Sequence, residues 1–147
     1  MVTDQDFRLT GGCGDVFTYA ATDDGRLAVV VQWEGAATAA WEEGAFSASV
    51  SLPDDSMAVS LEAGRGLSSF YCNDILMPGQ GVQATTKAVA GSVELSVRPK
   101  AGGFRPAATA DVTLLDIVFE VNTGDEVEIW RLDRLELRDV SVGWFAG

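Results

Sequence analysis

Apolar and polar residues alternate with a period of two along most of the chain, and no long segment repeats at 3.6 residues. Phe17 and Tyr19 line one face of a strand over 15–21, and Asp23-Asp24-Gly25 supplies a hairpin turn, because glycine tolerates the positive φ of primed turns. Leu27, Val29, Val31 and Trp33 mark the return strand. Gly35–Ala45 is a small-residue connection with room for one helical turn, alanine being the best helix former. The next alternation, Phe46, Ala48, Val50 and Leu52 against Ser47, Ser49 and Ser51, predicts a strand, and Pro53-Asp54-Asp55-Ser56 a turn after it. Met57, Val59 and Leu61 open a strand that Gly64 and Gly66 end.

Gly64–Gly81 lacks strand periodicity. A weaker strand over 82–89 follows, then a turn at Ala90-Gly91, a strand with Val93, Leu95 and Val97, and a loop from Pro99 to Pro106. The last forty residues predict a long hairpin turning at Asn122-Thr123-Gly124-Asp125. Its second arm changes hydrophobic phase near Asp133 and near Asp139, as a β-bulge does. Arg134, Glu136 and Arg138 share a polar face there, which predicts ion pairing on a solvated surface. Eight to nine short strands predict an all-β fold, an antiparallel β-sandwich of Ig-like or jelly-roll-like kind, with 1–147 as one domain.

Composition narrows the function. The net charge of −12 repels a phosphate backbone and an anionic bilayer, so neither nucleic acid nor membrane is expected as a partner, whereas basic partners and divalent cations are admitted. No apolar run approaches the roughly 20 residues of a membrane span. Met1–Asp6 is acidic and polar and does not read as a signal peptide, so export implies a signal already removed. The chain has no histidine, which excludes Ser-His-Asp and Cys-His catalysis and histidine-bound zinc.

The two cysteines, Cys13 and Cys72, fit one disulfide in an oxidising compartment, extracellular or in the cell envelope; the alternative is two buried thiols. A bridge requires Cα atoms roughly 6 Å apart. If every strand crosses the fold, Cys72 reaches Cys13 only when Gly64–Gly81 stays at the end where Cys13 lies. That count gathers Gly35–Ala45, Gly64–Gly81 and Pro99–Pro106 at one end, and the tight turns carrying Asp23, Asp24, Asp54, Asp55 and Asp125 at the other.

Irregular loops longer than about 12 residues are commonly functional, so the first end is the expected binding face. Its candidate ligand-binding residues are Trp41, Arg65, Phe70, Tyr71, Asn73, Asp74, Phe104 and Arg105, since aromatic side chains and arginine dominate hot spots. The competing expectation is that these rings cap the core. No cofactor is implied; calcium is the one candidate ion, at the Asp54-Asp55 end or at Asn73-Asp74. Glu42-Glu43 with Asp74 is the only carboxylate set worth naming for glycoside hydrolysis. The sequence therefore predicts an exported, non-catalytic binding module for a protein or carbohydrate partner. Its rivals are a subunit of an extracellular or viral-type assembly and a histidine-free carbohydrate-active hydrolase. The oligomeric state is not readable.

Overall fold

A computed structural model describes residues 3–73 and 77–143. After a 3-10 turn at Asp4–Asp6 come β1 (Phe7–Cys13), β2 (Phe17–Thr22), β3 (Leu27–Gln32), α1 (Ala36–Glu43), β4 (Phe46–Ser51) and β5 (Ala58–Arg65). There follow α2 (Leu67–Phe70), β6 (Gly81–Pro99), β7 (Ala108–Asn122) and β8 (Val127–Val142). All pairings are antiparallel, in the order β1-β2-β3-β5-β6-β7-β8, with β4 attached to β6. The antiparallel, mostly β expectation holds, with eight strands among the described residues and the long C-terminal hairpin. The strands make one sheet curled into a half-barrel; two separately stacked sheets are not seen among the described residues.

The curl comes from β6. Its first half pairs with β5, from Arg65↔Gly81 to Ser60↔Lys87. Its second half pairs with β7 on one side and with β4 on the other, from Ser51↔Ser92 to Phe46↔Val97. Ala90-Gly91, expected to reverse the chain, is instead a bend inside a 19-residue strand, with register shifts between Ala88 and Ala90 and between Ala90 and Ser92. β4 and β5 consequently run in series along β6, in one direction. Pro53–Ser56 interrupts that run and does not turn it back.

The expected bulge near Asp139 is present as a register shift between Ala110 and Val112, with Asp139 at φ 53°. Near Asp133 the β7–β8 register is unbroken, although the buried positions change phase there from Leu132 to Leu135. The same break crosses β7, where Asp116 has φ 52° and burial passes from Leu114 to Ile117. Both strands kink together, which shifts phase without adding a residue. β1 was not legible: Gly11 and Gly12 interrupt its apolar pattern, yet it pairs with β2 from Leu9 to Cys13, and at Phe7 after a register shift.

The concave side holds the main core, built around Phe119, Leu95, Leu114, Ile117 and Leu137 from β6–β8 and Val29, Val31 and Val59 from β3 and β5, with Ala36, Ala37 and Ala40 of α1 packed against it. A smaller core sits on the other face of β2 and β3: Ala21, Ala28 and Val30 under Leu67 and Tyr71. At about 25 cal/mol per Å² of apolar surface buried, both clusters contribute favourably to folding.

Candidate functional site

The disulfide is formed. Cys13 and Cys72 have Cα atoms 5.8 Å apart and close a link across 59 positions. The loop count that accompanied it is corrected, because β5 ends at the opposite end of the sheet from Cys13. Gln32 pairs with Ala58, and Leu27 with Ala63. The chain leaves β5 beside the Asp23-Asp24-Gly25 turn, where Leu67 N–H donates to the Gly25 carbonyl (2.9 Å). From there 66–72 crosses the outer face of β2 and β3 as a strap and reaches Cys13 on the far side.

This crossing divides the expected aromatic face. Tyr71 lies in the strap, 7% exposed, with its ring 4.9 Å from that of Tyr19, 5.5 Å from Phe17 and 5.6 Å from Phe70. Its hydroxyl donates to Glu62 Oε1 at 2.6 Å, and Thr85 Oγ1 donates to the other oxygen of that carboxylate at 3.1 Å. Burial first, then the Glu62 carboxylate, push the Tyr71 phenol strongly upward, so it stays a donor. Tyr71 is therefore a cap over the smaller core. Asn73 is exposed, and its amide donates to the Ser69 carbonyl (3.0 Å). Arg65 is exposed at the end of β5, opposite Gly81. Asp74 lies outside the described residues, and with it the pairings proposed for hydrolysis and for calcium beside Asn73.

Trp41, Phe104 and Arg105 do come together, with α1 against the loop after β6. The half-buried Trp41 indole donates to the Ala107 carbonyl, and Arg105 pairs with Glu42 at 3.5 Å. Lys100 N–H to Ala107 O (3.0 Å) and Ala107 N–H to Phe104 O (2.6 Å) close this loop, leaving Phe104 92% exposed at its tip.

A cleft of about 1050 Å³ lies where β2 and β3 meet α1 and the interruption before β5. Trp33 supplies the aromatic side chain, the Phe17 ring being turned to the other sheet face against Tyr71; Asp15, Glu34, Asp54 and Asp55 supply carboxylates; Lys87 is the one cation in its lining. Trp33 is fixed by its backbone N–H on the Val16 carbonyl (2.9 Å) and by an edge-on ring contact with Phe46 (5.9 Å). Asp15 Oδ1 accepts from Thr38 N–H and hydroxyl near the start of α1, at 3.3 and 3.0 Å. Asp54 accepts from the Ser56 hydroxyl and N–H, which hold its carboxyl below the usual range. Glu34 and Asp55 are exposed.

The Asp-rich end is likewise divided. Asp54 and Asp55 belong to this cleft, whereas Asp23 and Asp24 line another with Arg8 and Arg26, and Asp125 sits in the β7–β8 turn. Among the described residues no three Asp, Glu or Cys side chains converge to hold a metal ion. Sequence reading missed the cleft because Trp33 fits strand alternation and reads as core, against which it does pack in part. The only signal was position: Trp33-Glu34 directly precedes Gly35, where a strand ends.

Compared with family models, curated proteins and solved structures, the chain matches none of them. No helix among the described residues is long and apolar enough to cross a membrane.

Proposed function

We propose that the protein is a non-catalytic binding module whose ligand is a multiply charged cation, such as a basic peptide segment, held in the Trp33 cleft. One observation carries this reading: this cleft joins the Trp33 indole to four carboxylates against a single lysine. Ring faces and carboxylates both attract ammonium and guanidinium groups, and the net charge of −12 draws such a ligand from a distance. The carboxylates are spread along the cleft, which suits an extended cation better than a single metal ion. The disulfide supports an extracellular or cell-envelope location, since such bonds persist in oxidising compartments. The curled sheet serves as a rigid, sandwich-like scaffold that carries the cleft at its strand ends.

The test is calorimetric titration with a linear polyamine, an arginine-rich peptide and a neutral oligosaccharide. The cations should bind, more weakly as salt is raised, and Glu34→Gln with Asp55→Asn should weaken them. Cation binding that ignores both substitutions would assign the effect to the acidic surface as a whole and end this reading.

A further inference from the structure

A second groove lies on the solvent face of β4, β6, β7 and β8, about 460 Å³ and within the size range of small-molecule sites. Its origin is a difference in side-chain length across aligned rungs. One rung runs Ser47↔Ser96↔Asp111, and the next Ser49↔Glu94↔Thr113↔Glu136. Serines on β4 and β6 and the buried Thr113 make a low floor, and Arg134 and Arg138 on β8 stand as one wall.

The wall is oriented before any ligand arrives. Arg134 Nε donates to Glu136 Oε1 at 2.8 Å, and Arg138 contacts the same oxygen at 3.3 Å and Thr113 Oγ1 at 3.3 Å. Asp111 is fixed by Arg98 (2.9 Å) and by the backbone N–H of Asp139 (2.8 Å). Each guanidinium carries five N–H donors, so these contacts leave donors for a ligand. The ionised lining is balanced: Glu94 and Asp111 against Arg134 and Arg138.

We infer that this groove binds a neutral carbohydrate, edge-on, through hydroxyl hydrogen bonds. A sugar hydroxyl both donates and accepts. It therefore suits a surface that alternates guanidinium donors, carboxylate acceptors and serine hydroxyls that serve either way. A balanced lining has no preference for an ion, and the net charge of −12 opposes an anionic glycan. No aromatic ring lines the groove, so recognition rests on preorganised polar groups, and affinity is modest. This site is separate from the Trp33 cleft and stands or falls independently of it.

The experiment is amide chemical-shift mapping on the full chain with three probes of equal length: a neutral β-glucan oligosaccharide, a neutral mannan oligosaccharide and an oligogalacturonate. At least one neutral probe should move resonances in Ser47–Ser49, Glu94–Ser96, Asp111–Thr113 and Arg134–Arg138. Ser49→Gln, at an exposed position, fills the floor and should weaken binding at least about tenfold. Arg138→Gln removes a donor and should weaken it similarly, with the melting temperature of each variant confirming the fold. Silence from both neutral probes, stronger binding of the galacturonate, shifts confined to the Trp33 cleft, or full affinity in Ser49→Gln would each overturn the assignment.

Discussion

The backbone N–H of Leu52 donates to the carbonyl of Gly91 at 2.9 Å. Gly91 belongs to a segment that reads as a turn in the sequence and Leu52 directly precedes another, and neither segment reverses the chain. Proline at 53 stops β4, the Gly91 bend carries β6 from one partner to the other, and this bond joins the two irregularities. The sheet curls at that junction, because β6 leaves β5 and takes up β4 just beyond it.

Gly91 should tolerate no side chain. A Cβ built there meets Ile117 Cδ1 at 2.7 Å and the Asp116 carbonyl oxygen at 2.8 Å, and φ is 123°. Gly91→Ala is expected to cost roughly 3 kcal/mol, from overpacking added to backbone strain. Gly124→Ala, in the β7–β8 turn at φ 85° with nothing within 4 Å, should cost only about 1 kcal/mol. Urea melts of the two variants give the comparison, and equal costs would remove Gly91 from its role in the bend.

That junction also marks the limit of what the sequence could reveal. Alternation located β2 to β8 and the hairpin turn at Asn122–Asp125, because a half-buried strand must alternate. It could not tell a bend from a reversal at Ala90-Gly91, since both need glycine at positive φ. The same ambiguity at Pro53–Ser56, read as a reversal where β4 and β5 run in series, inverted the end assigned to Gly64–Gly81 and to Asp54-Asp55. Tyr71, named for the binding face, caps a core, and Trp33, packed against the main core as its alternation implied, also lines a cleft.

Removing the crosslink should loosen the strap before the rest of the sheet. The chain-entropy model gives about 4 kcal/mol for a closed loop of this length. Cys13→Ser with Cys72→Ser should lose stability of that order. Hydrogen exchange should quicken in 67–73 and at Val30, while Leu95, Val112 and Leu137 stay protected. Uniform acceleration across the chain would show that the strap has no separate stability.

Alkaline stability should report Tyr71. Its phenol stays protonated in the fold, while in the unfolded chain it ionises near about pH 10. The contribution is therefore complete below that pH and is lost as pH rises above it. Tyr71→Phe should cost about 2 kcal/mol at neutral pH through the lost bond to Glu62. Its stability should then fall less steeply above pH 10, the remaining slope including Tyr19, whose phenol burial also raises. An unchanged slope would contradict the assignment.

Acid should act through Asp111. The Asp139 backbone N–H and the Arg98 guanidinium hold this carboxyl below its ordinary value. Its contribution is present above about pH 4 and is lost as pH falls through the depressed value. Solvent at Arg98 keeps the effect to about 1 kcal/mol. Asp111→Asn should lower stability at neutral pH by that amount and flatten the acid limb of the stability curve.

The two halves of the Trp33 cleft should act differently on a bound cation. Trp33→Leu removes the ring face and should weaken a basic peptide by roughly 0.5 to 2 kcal/mol with little change in salt dependence, since ring–cation attraction is short-ranged. Glu34→Gln and Asp55→Asn remove charge from exposed sites and should chiefly reduce the salt dependence and the association rate. Trp41→Leu breaks the indole bond to Ala107, so it should lower stability and loosen the Phe104 loop without altering the affinity of the cation. Asp24→Asn should leave binding unchanged, because Asp24 lines a different cleft and is engaged by the Thr22 hydroxyl at 2.6 Å and the Arg26 N–H at 3.0 Å. Stopped-flow titrations at two salt concentrations separate these effects, and a peptide sensitive to Trp41→Leu but not to Trp33→Leu would move the binding face to the Phe104 loop.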